Sequence, residues 1–328
     1  MSASCHISRR TALAAGAAAM LPLRAAWADY PERPIEWIVA YAAGGGSDTV
    51  ARILAERMGP DLGQSIVVEN KPGGGATIGA RAAASAAPDG YTVFSADNGV
   101  LIYNTALYKQ LSYDPAKDFR AVGLMVRFPL LLVVNLESPS QDLANLVERA
   151  KAAPGSIDYA SPGVGSPHHL AMARLMHESG LAFNHVPYKG AAPALVDLTG
   201  GHIEFMIVDY PSAAGQLKSG KVRPLAVCSA TRLPSQPDLP TVQEALGLAG
   251  FEAYAWQGLV VPAGTPDAVV DRLSATLAAA IADPAVDGRL REIGLEPLQG
   301  GPKEMQALID ADRAVWVPLI QAQGITLD

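Results

Sequence analysis

The sequence predicts an α/β protein of two lobes, each a mostly parallel sheet flanked by helices. Two observations carry this. Short runs rich in Val and Ile alternate with Ala-rich helical stretches along almost the whole chain, and repeated strand, turn, helix, strand units build parallel sheets covered on both faces. About 300 residues remain once an N-terminal leader is set aside, which is long for one core and natural for two.

Residues 1–28 read as an export signal. Ser8, Arg9 and Arg10 form a basic stretch without acids, Ala12 to Leu23 is a short apolar run, and Ala26-Trp27-Ala28 is an A-x-A cleavage site. Pro22 and Arg24 leave that run too short and too weakly apolar for a permanent membrane span. The Ser-Arg-Arg start resembles a twin-arginine signal, although Ala12 stands where that class carries a bulky apolar residue, so the general secretory route stays open as well. The mature chain begins near Asp29, and the periplasm is its expected location.

Loss of the leader's three arginines takes the formal net charge from −7 to −10, which disfavours nucleic acid and anionic membrane as partners. Cys5 leaves with the leader and Cys228 lies in the apolar run "PLAVCSA". A single remaining cysteine makes no internal disulfide, and no Cys/His spacing suggests a metal, so no cofactor is expected.

The strand runs in order are Ile35–Tyr41, Ile66–Glu69, Thr92–Ala96, Leu130–Val134, Ile157–Ala160, His185–Pro187, Ile203–Val208, Pro224–Val227 and Leu259–Val261. Val50, Ile53, Leu54 and Met58 fall on one helical stripe, as do Leu143, Leu146, Val147 and Ala150. Met305, Leu308, Ile309, Val315 and Leu319 mark a C-terminal helix containing Pro318. No tandem repeat or Pro/Ser-rich linker interrupts the pattern, so ordinary strands join the lobes.

The first chemically informative stretch is "AYAAGGGSDTVARILAERM". A strand ends at Tyr41, Gly44, Gly45 and Gly46 let the backbone turn and expose its amides, and a helix begins at Ser47 or Asp48. Unpaired amides at a helix start form an anion-binding cup, aided by the helix dipole. The phosphate-binding versions fail, since no Gly-Lys-Ser/Thr follows and Thr49 occupies the third glycine position of G-x-G-x-x-G. Glu69 mimics a ribose-binding acid and keeps a nucleotide as the alternative, but a carboxylate is favoured. In the blandest reading the glycines only make a tight turn and Asp48 caps the helix.

"NKPGGGATIGA", with Lys71 at its rim, repeats the strand-to-helix logic weakly. "YASPGVGSPHHLAMARLM" is more informative, because a strand runs into Ser161, Gly163, Gly165 and Ser166 before a helix opening at Pro167. It offers a second cup in the other lobe. Ser161-Pro162-Gly163 matches only half of a hydrolase elbow, and Ser161, His185 and Asp209 stand in the wrong chain order for that fold. An exported hydrolase using the interlobe cleft is nevertheless the rival reading. His168, His169 and His177 are poorly spaced for a metal, since helix neighbours point about 100° apart, and His168 at the first turn is the one able to reach a ligand. Asp209 ends a buried strand before Pro211, so it either faces the crevice or caps the next helix.

Together these segments resemble a known family. "YPERPIEWIVAYAAGGGSDTVAR", "VVENKPGGGATIGA", "NTALYKQLSYDPAKDF", "IDYASPGVGSPHHLA", "VPYKGAAPALVDLTGG" and "LAVCSATRLPSQPDLPTVQEA" are similar to the solute-binding receptors of tripartite tricarboxylate transporters, the Bug family. The resemblance implies a two-lobed Venus-flytrap periplasmic binding protein, not an enzyme. Its partners would be a small carboxylate, either an organic acid or an amino acid, and the membrane components of a tripartite tricarboxylate-type transporter, and it would act as a monomer. On that frame residues 29–133 plus 250–328 form lobe 1 and 134–249 form lobe 2. The implied ligand-binding residues are Tyr41, Gly45, Gly46, Ser47 and Asp48 in one lobe, and Ser161, Gly165, Ser166, His168 and Asp209 in the other. The chain departs from the family at Ala40, Ala42 and Ala43, where prolines are usual, and at Pro167, which removes an N–H donor. Lys189 in "VPYKG" is tempting as a counter-ion, but a structural role at a strand-to-helix turn is expected.

Overall fold

The computed structural model describes residues 30–327, so the leader and its cleavage site lie outside the described residues. The described residues form ten strands: β1 (Ile35–Val39), β2 (Ile66–Asn70), β3 (Thr92–Asp97), β4 (Phe119–Asn135), β5 (Asp158–Ser161), β6 (Asn184–Pro187), β7 (Phe205–Asp209), β8 (Val222–Val227), β9 (Tyr254–Pro262) and β10 (Glu296–Pro297). They run β2-β1-β3-β9-β4-β7-β5-β6, and β8 and β10 also pair with β4. Every strand run read from the sequence overlaps one of these, while β10 has no apolar run to announce it.

The flanking helices of the first half are α1 (Gly46–Leu62), α2 (Thr77–Ala84), α3 (Asn104–Leu107), α4 (Pro115–Asp118), α5 (Leu143–Ala152) and α6 (Pro167–Ser179). The second half adds α7 (Ala191–Thr199), α8 (Tyr210–Lys218), α9 (Val242–Leu246), α10 (Asp267–Ala282), α11 (Pro284–Glu292) and α12 (Pro302–Ala322), which continues through Pro318. The α1 stripe of Val50, Ile53, Leu54, Met58 and Leu62 is buried as its spacing requires, and the helix stops at Gly63 in the left-handed region with φ 72°.

The pairing is mixed rather than mostly parallel. Parallel ladders are confined to β1 with β2 and β3, and to β5 with β6 and β7. The strands that carry the chain between the lobes, β4 and β9, run antiparallel to each other and to β7, β8 and β3. Helical crossovers build the parallel outer parts; the crossing strands return against their neighbours and cannot be parallel to them.

β4 belongs to both lobes. Its first part, to Pro129, pairs with β9, and from Leu130 it pairs with β7 and β8. The handover falls at a residue with no N–H to leave unpaired. Leu130, Leu132 and Val134 enter a core shared with Tyr159, Phe205 and Trp256, whereas Leu131 and Val133 face a second core with Leu195 and Val208. A third core, with Trp37, Leu54, Met58, Val126 and Leu273, lies under α1 and α10.

Close backbone approach holds the crossing strands together. At Gly258 on β9 a Cβ would lie 2.6 Å from Met305 Sδ and 2.9 Å from the Gly123 carbonyl oxygen. Met305 can yield, but the carbonyl belongs to β4 and moves only with the ladder. Gly258→Ala is therefore expected to lower stability by about 1–3 kcal/mol in chemical denaturation. An unchanged midpoint would show that the two strands tolerate separation.

Candidate functional site

A cavity of about 600 Å³ opens at the carboxyl ends of the parallel strands, between the first turns of α1 and α6. Its wall includes Tyr41, Gly45, Gly46 and Ser47 on one side and Gly165, Ser166, His168 and Asp209 on the other. Phe128 of β4 and Trp256 and Gln257 of β9 line it where the strands cross. Two expected contacts, Asp48 and Ser161, are not part of the wall.

On the first side the helix begins at Gly46, one or two positions earlier than the expected start at Ser47 or Asp48, and Gly45 at its N-cap offers no side chain. Among the described residues the amides of Gly46 and Ser47 have no acceptor, as the first turn of a helix dictates. Gly45 instead donates to the Ala42 carbonyl at 3.3 Å. Gly46 must be small, because a Cβ there would stand 2.9 Å from Phe128 Cε1. Ser47 Oγ accepts from Gln257 Nε2 at 2.6 Å.

Asp48 is buried behind this loop. It accepts from the Gly44 amide at 2.9 Å, from Arg52 Nε at 3.0 Å and from Asn70 Nδ2 at 3.0 Å. The hydrogen bond from Arg52 is the largest of the influences that hold its carboxyl below the ordinary range. An acid so saturated with donors braces the loop and leaves nothing for a ligand.

The second loop spends much of its hydrogen bonding on itself. Gly163 donates to Ser161 Oγ at 3.2 Å, Gly165 to His169 Nδ1 at 3.1 Å and Ser166 to the Gly163 carbonyl at 3.3 Å. The amides of Val164 and His168 stay without acceptors among the described residues. Ser166 caps α6 by accepting from the His169 amide at 3.2 Å. Gly165 holds φ at 74°, and a Cβ there would come 2.7 Å from Leu107, so the loop needs glycine on both counts.

Ser161 is fully buried, with its Oγ 2.7 Å from His185 Nε2. His185 is sandwiched between the rings of Tyr159 and His169, at centroid distances of 4.8 and 4.1 Å. Asp209 pairs with His168 and not with His185, so Ser161, His185 and Asp209 do not form a triad. Among the described residues no group of His, Cys, Asp and Glu could hold a metal ion. Lys189 is exposed and absent from the wall.

Both readings of Asp209 hold at once. Its Oδ1 caps α8 by accepting from the Ser212 amide at 2.9 Å, while Oδ2 accepts from the Ser212 hydroxyl at 2.9 Å and lies 3.2 Å from His168 Nε2. Burial pushes its carboxyl up, but the bonds from His168 and Ser212 outweigh that and hold it below the ordinary range. The sequence reading missed Asp97, which lines the cavity and is only 6% exposed. It accepts from the Tyr41 hydroxyl and from the Val100 amide. The signal was available, since "FSAD" ends a buried strand in an acid just as "IVD" does. Trp256, Gln257 and Phe128 carried no such signal.

Residues 50–325 match the family described as tripartite tricarboxylate transporter family receptor. The chain belongs to this family. An R. palustris protein solved with adipate shares the fold over 91% of this chain and 100% of its own, at 36% identity and a TM-score of 0.84. The periplasmic binding protein BugD is 39% identical over 90% of this chain and 99% of its own, with a TM-score of 0.80. MatC from Rhodopseudomonas palustris, with bound malate, is 33% identical over 89% and 100%, with a TM-score of 0.79. The architecture of this receptor is thus the two-lobed one of periplasmic binding proteins.

Two titrating groups, the buried His169 and the half-buried Asp312, brace the receptor's cavity wall. Trp256 Nε1 donates to Asp312 Oδ2 at 2.7 Å, and burial pushes the Asp312 carboxyl up to about 6. Burial, followed by the neighbouring His185, pushes His169 down to about 4. The signs oppose. Ionising Asp312 costs stability as pH rises from about 4 towards 6, whereas the unfolded chain's gain of a proton at His169 costs stability as pH falls from 6.5 towards 4. Asp312→Asn keeps an acceptor for Trp256 and removes the first cost. It should match the parent's melting temperature at pH 4 and exceed it at pH 7, by the equivalent of about 2–3 kcal/mol. An equal offset at both pH values would assign the change to packing.

Proposed function

We propose that this receptor captures a small carboxylate in the cavity between its lobes and hands it to the membrane components of a tripartite tricarboxylate-type transporter. One observation carries the reading: α1 and α6 both begin on the wall of a single cavity, each with backbone amides that have no acceptor among the described residues. Such amides, with the helix dipoles behind them, suit an anion without requiring a cationic side chain. The relatives solved with adipate and malate support a carboxylate as that anion.

The proposed contacts are Tyr41, Gly45, Gly46, Ser47, Gly165, Ser166, His168 and Asp209, with Asp48 and Ser161 as braces behind the loops. We assign residues 29–133 plus 250–328 to lobe 1 and 134–249 to lobe 2; the change of partner within β4 supports a division along that strand. Export with cleavage near Ala28, a monomeric state and binding without turnover complete the reading. The burial of Ser161 away from the cavity supports the last of these.

Calorimetric titration of the mature protein against mono-, di- and tricarboxylates should give saturable binding to some member. Gly46→Val, which drives a side chain into Phe128 and over the first turn of α1, should weaken that binding about 10- to 100-fold with the fold retained. That range follows from losing about 1–3 kcal/mol for one hydrogen bond to a charged group. Binding by no acid, or chemical conversion of a bound acid, would overturn the proposal. Small-angle scattering tests closure separately: the bound acid should contract the particle, since each lobe supplies half the wall, and an identical profile at saturation would exclude a hinge.

A further inference from the structure

The cavity wall carries acceptors in excess. Asp97 enters from the end of β3 and Asp209 from the end of β7, and among the described residues no lysine or arginine lines the cavity. Among the described residues neither acid is paired with a lysine or arginine; Asp209 Oδ2 lies 3.2 Å from His168 Nε2, which is also 3.2 Å from the Asp209 amide that donates to it. Gln257, 2% exposed, donates its Nε2 to Ser47 and leaves Oε1 buried without a partner. That oxygen is an acceptor held out of water and calls for a donor.

Asp97 is fixed in place by donors from its own lobe. Tyr41 donates its hydroxyl to Oδ2 and the Val100 amide donates to Oδ1 at 2.8 Å. Burial outweighs these donors and leaves the Asp97 carboxyl above the ordinary range, whereas the bonds from His168 and Ser212 hold Asp209 below it. Asp209, and Asp97 whenever it is ionised, repel a second anionic group on the ligand, and the repulsion grows as water leaves the cavity. Phe128 and Trp256, also on the wall, offer aromatic surface and no counter-charge.

Resting on the carboxylate-receptor reading, the geometry points to an amino carboxylate as ligand: its carboxylate lies at the free amides of α1 and α6, and its ammonium is taken by Asp97, Asp209 and the Gln257 carbonyl. An ammonium supplies three N–H donors and the charge that the wall lacks. The Tyr41–Asp97 pair is then a specificity element that fixes the acceptor in place.

Calorimetry with matched probes tests this: pentanoate, glutarate, 5-aminopentanoate and norvaline in one set, and 3-phenylpropanoate with phenylalanine in another. At least one zwitterion should bind tenfold or more tightly than the amine-free acids of its set. Asp97→Asn or Asp209→Asn should weaken that zwitterion at least tenfold and strengthen the matched amine-free acid; asparagine preserves the α8 cap at position 209. Melting curves report folding, and if Asp97→Asn fails to fold, the Tyr41→Phe/Asp97→Ser pair removes the charge together with its donor. Equal or tighter binding of glutarate, pentanoate or phenylpropanoate by the parent overturns the inference and leaves the carboxylate receptor standing. Unaltered preference in both variants overturns it too. If no probe of any kind binds, the carboxylate reading falls and takes this inference with it.

Discussion

A buried peptide group must keep its hydrogen bonds, and the architecture follows from how β4 meets that demand while passing from one lobe to the other. A loop crossing through the core would strand amides and carbonyls away from water. β4 stays extended for 17 residues and exchanges partners instead, leaving β9 at Pro129 and taking up β7 and β8 from Leu130. Its alternating side chains feed two cores at once. The cavity sits beside this handover, and Phe128, one residue before it, packs against the first turn of α1. The strand that joins the lobes therefore also shapes the site between them.

Polar residues around the cavity divide into those that hold loops and those left with capacity to spare. Asp48 and Ser161 are consumed by neighbours, and the loop from Gly163 to Ser166 satisfies most of its own amides. What remains is a small set of backbone donors at the starts of α1 and α6, facing a cavity whose side chains are chiefly acceptors and aromatic surface. Fixed amide dipoles can hold an anion without the long, mobile side chains that a lysine or arginine would bring, and so at less cost in ordering. Asp209 shows how one group serves both ends: the bonds that cap α8 also keep its charge in place at the wall.

The sequence by itself determined the local order of the protein. The 3.6-residue stripe of α1, the Ser166-Pro167 start of α6 and the glycine turns at 44–46 and 163–165 are dictated by side-chain geometry within a few residues, and they are found where the pattern put them. Eight of the ten expected contacts line the cavity for the same reason, because helix starts at strand ends are local features. Only the tertiary structure decided the rest. Whether Asp48 and Ser161 face a ligand depended on Asn70 and His185 arriving from elsewhere in the chain to claim them, although Arg52, one helical turn from Asp48, was a local partner. Asp97 gains its role through Tyr41, 56 positions away, and Gln257 reaches Ser47 across 210. Desolvation and partner choice are set by groups remote in sequence, so no window of residues contains them, whereas turns and caps are settled by neighbours and can be read in place.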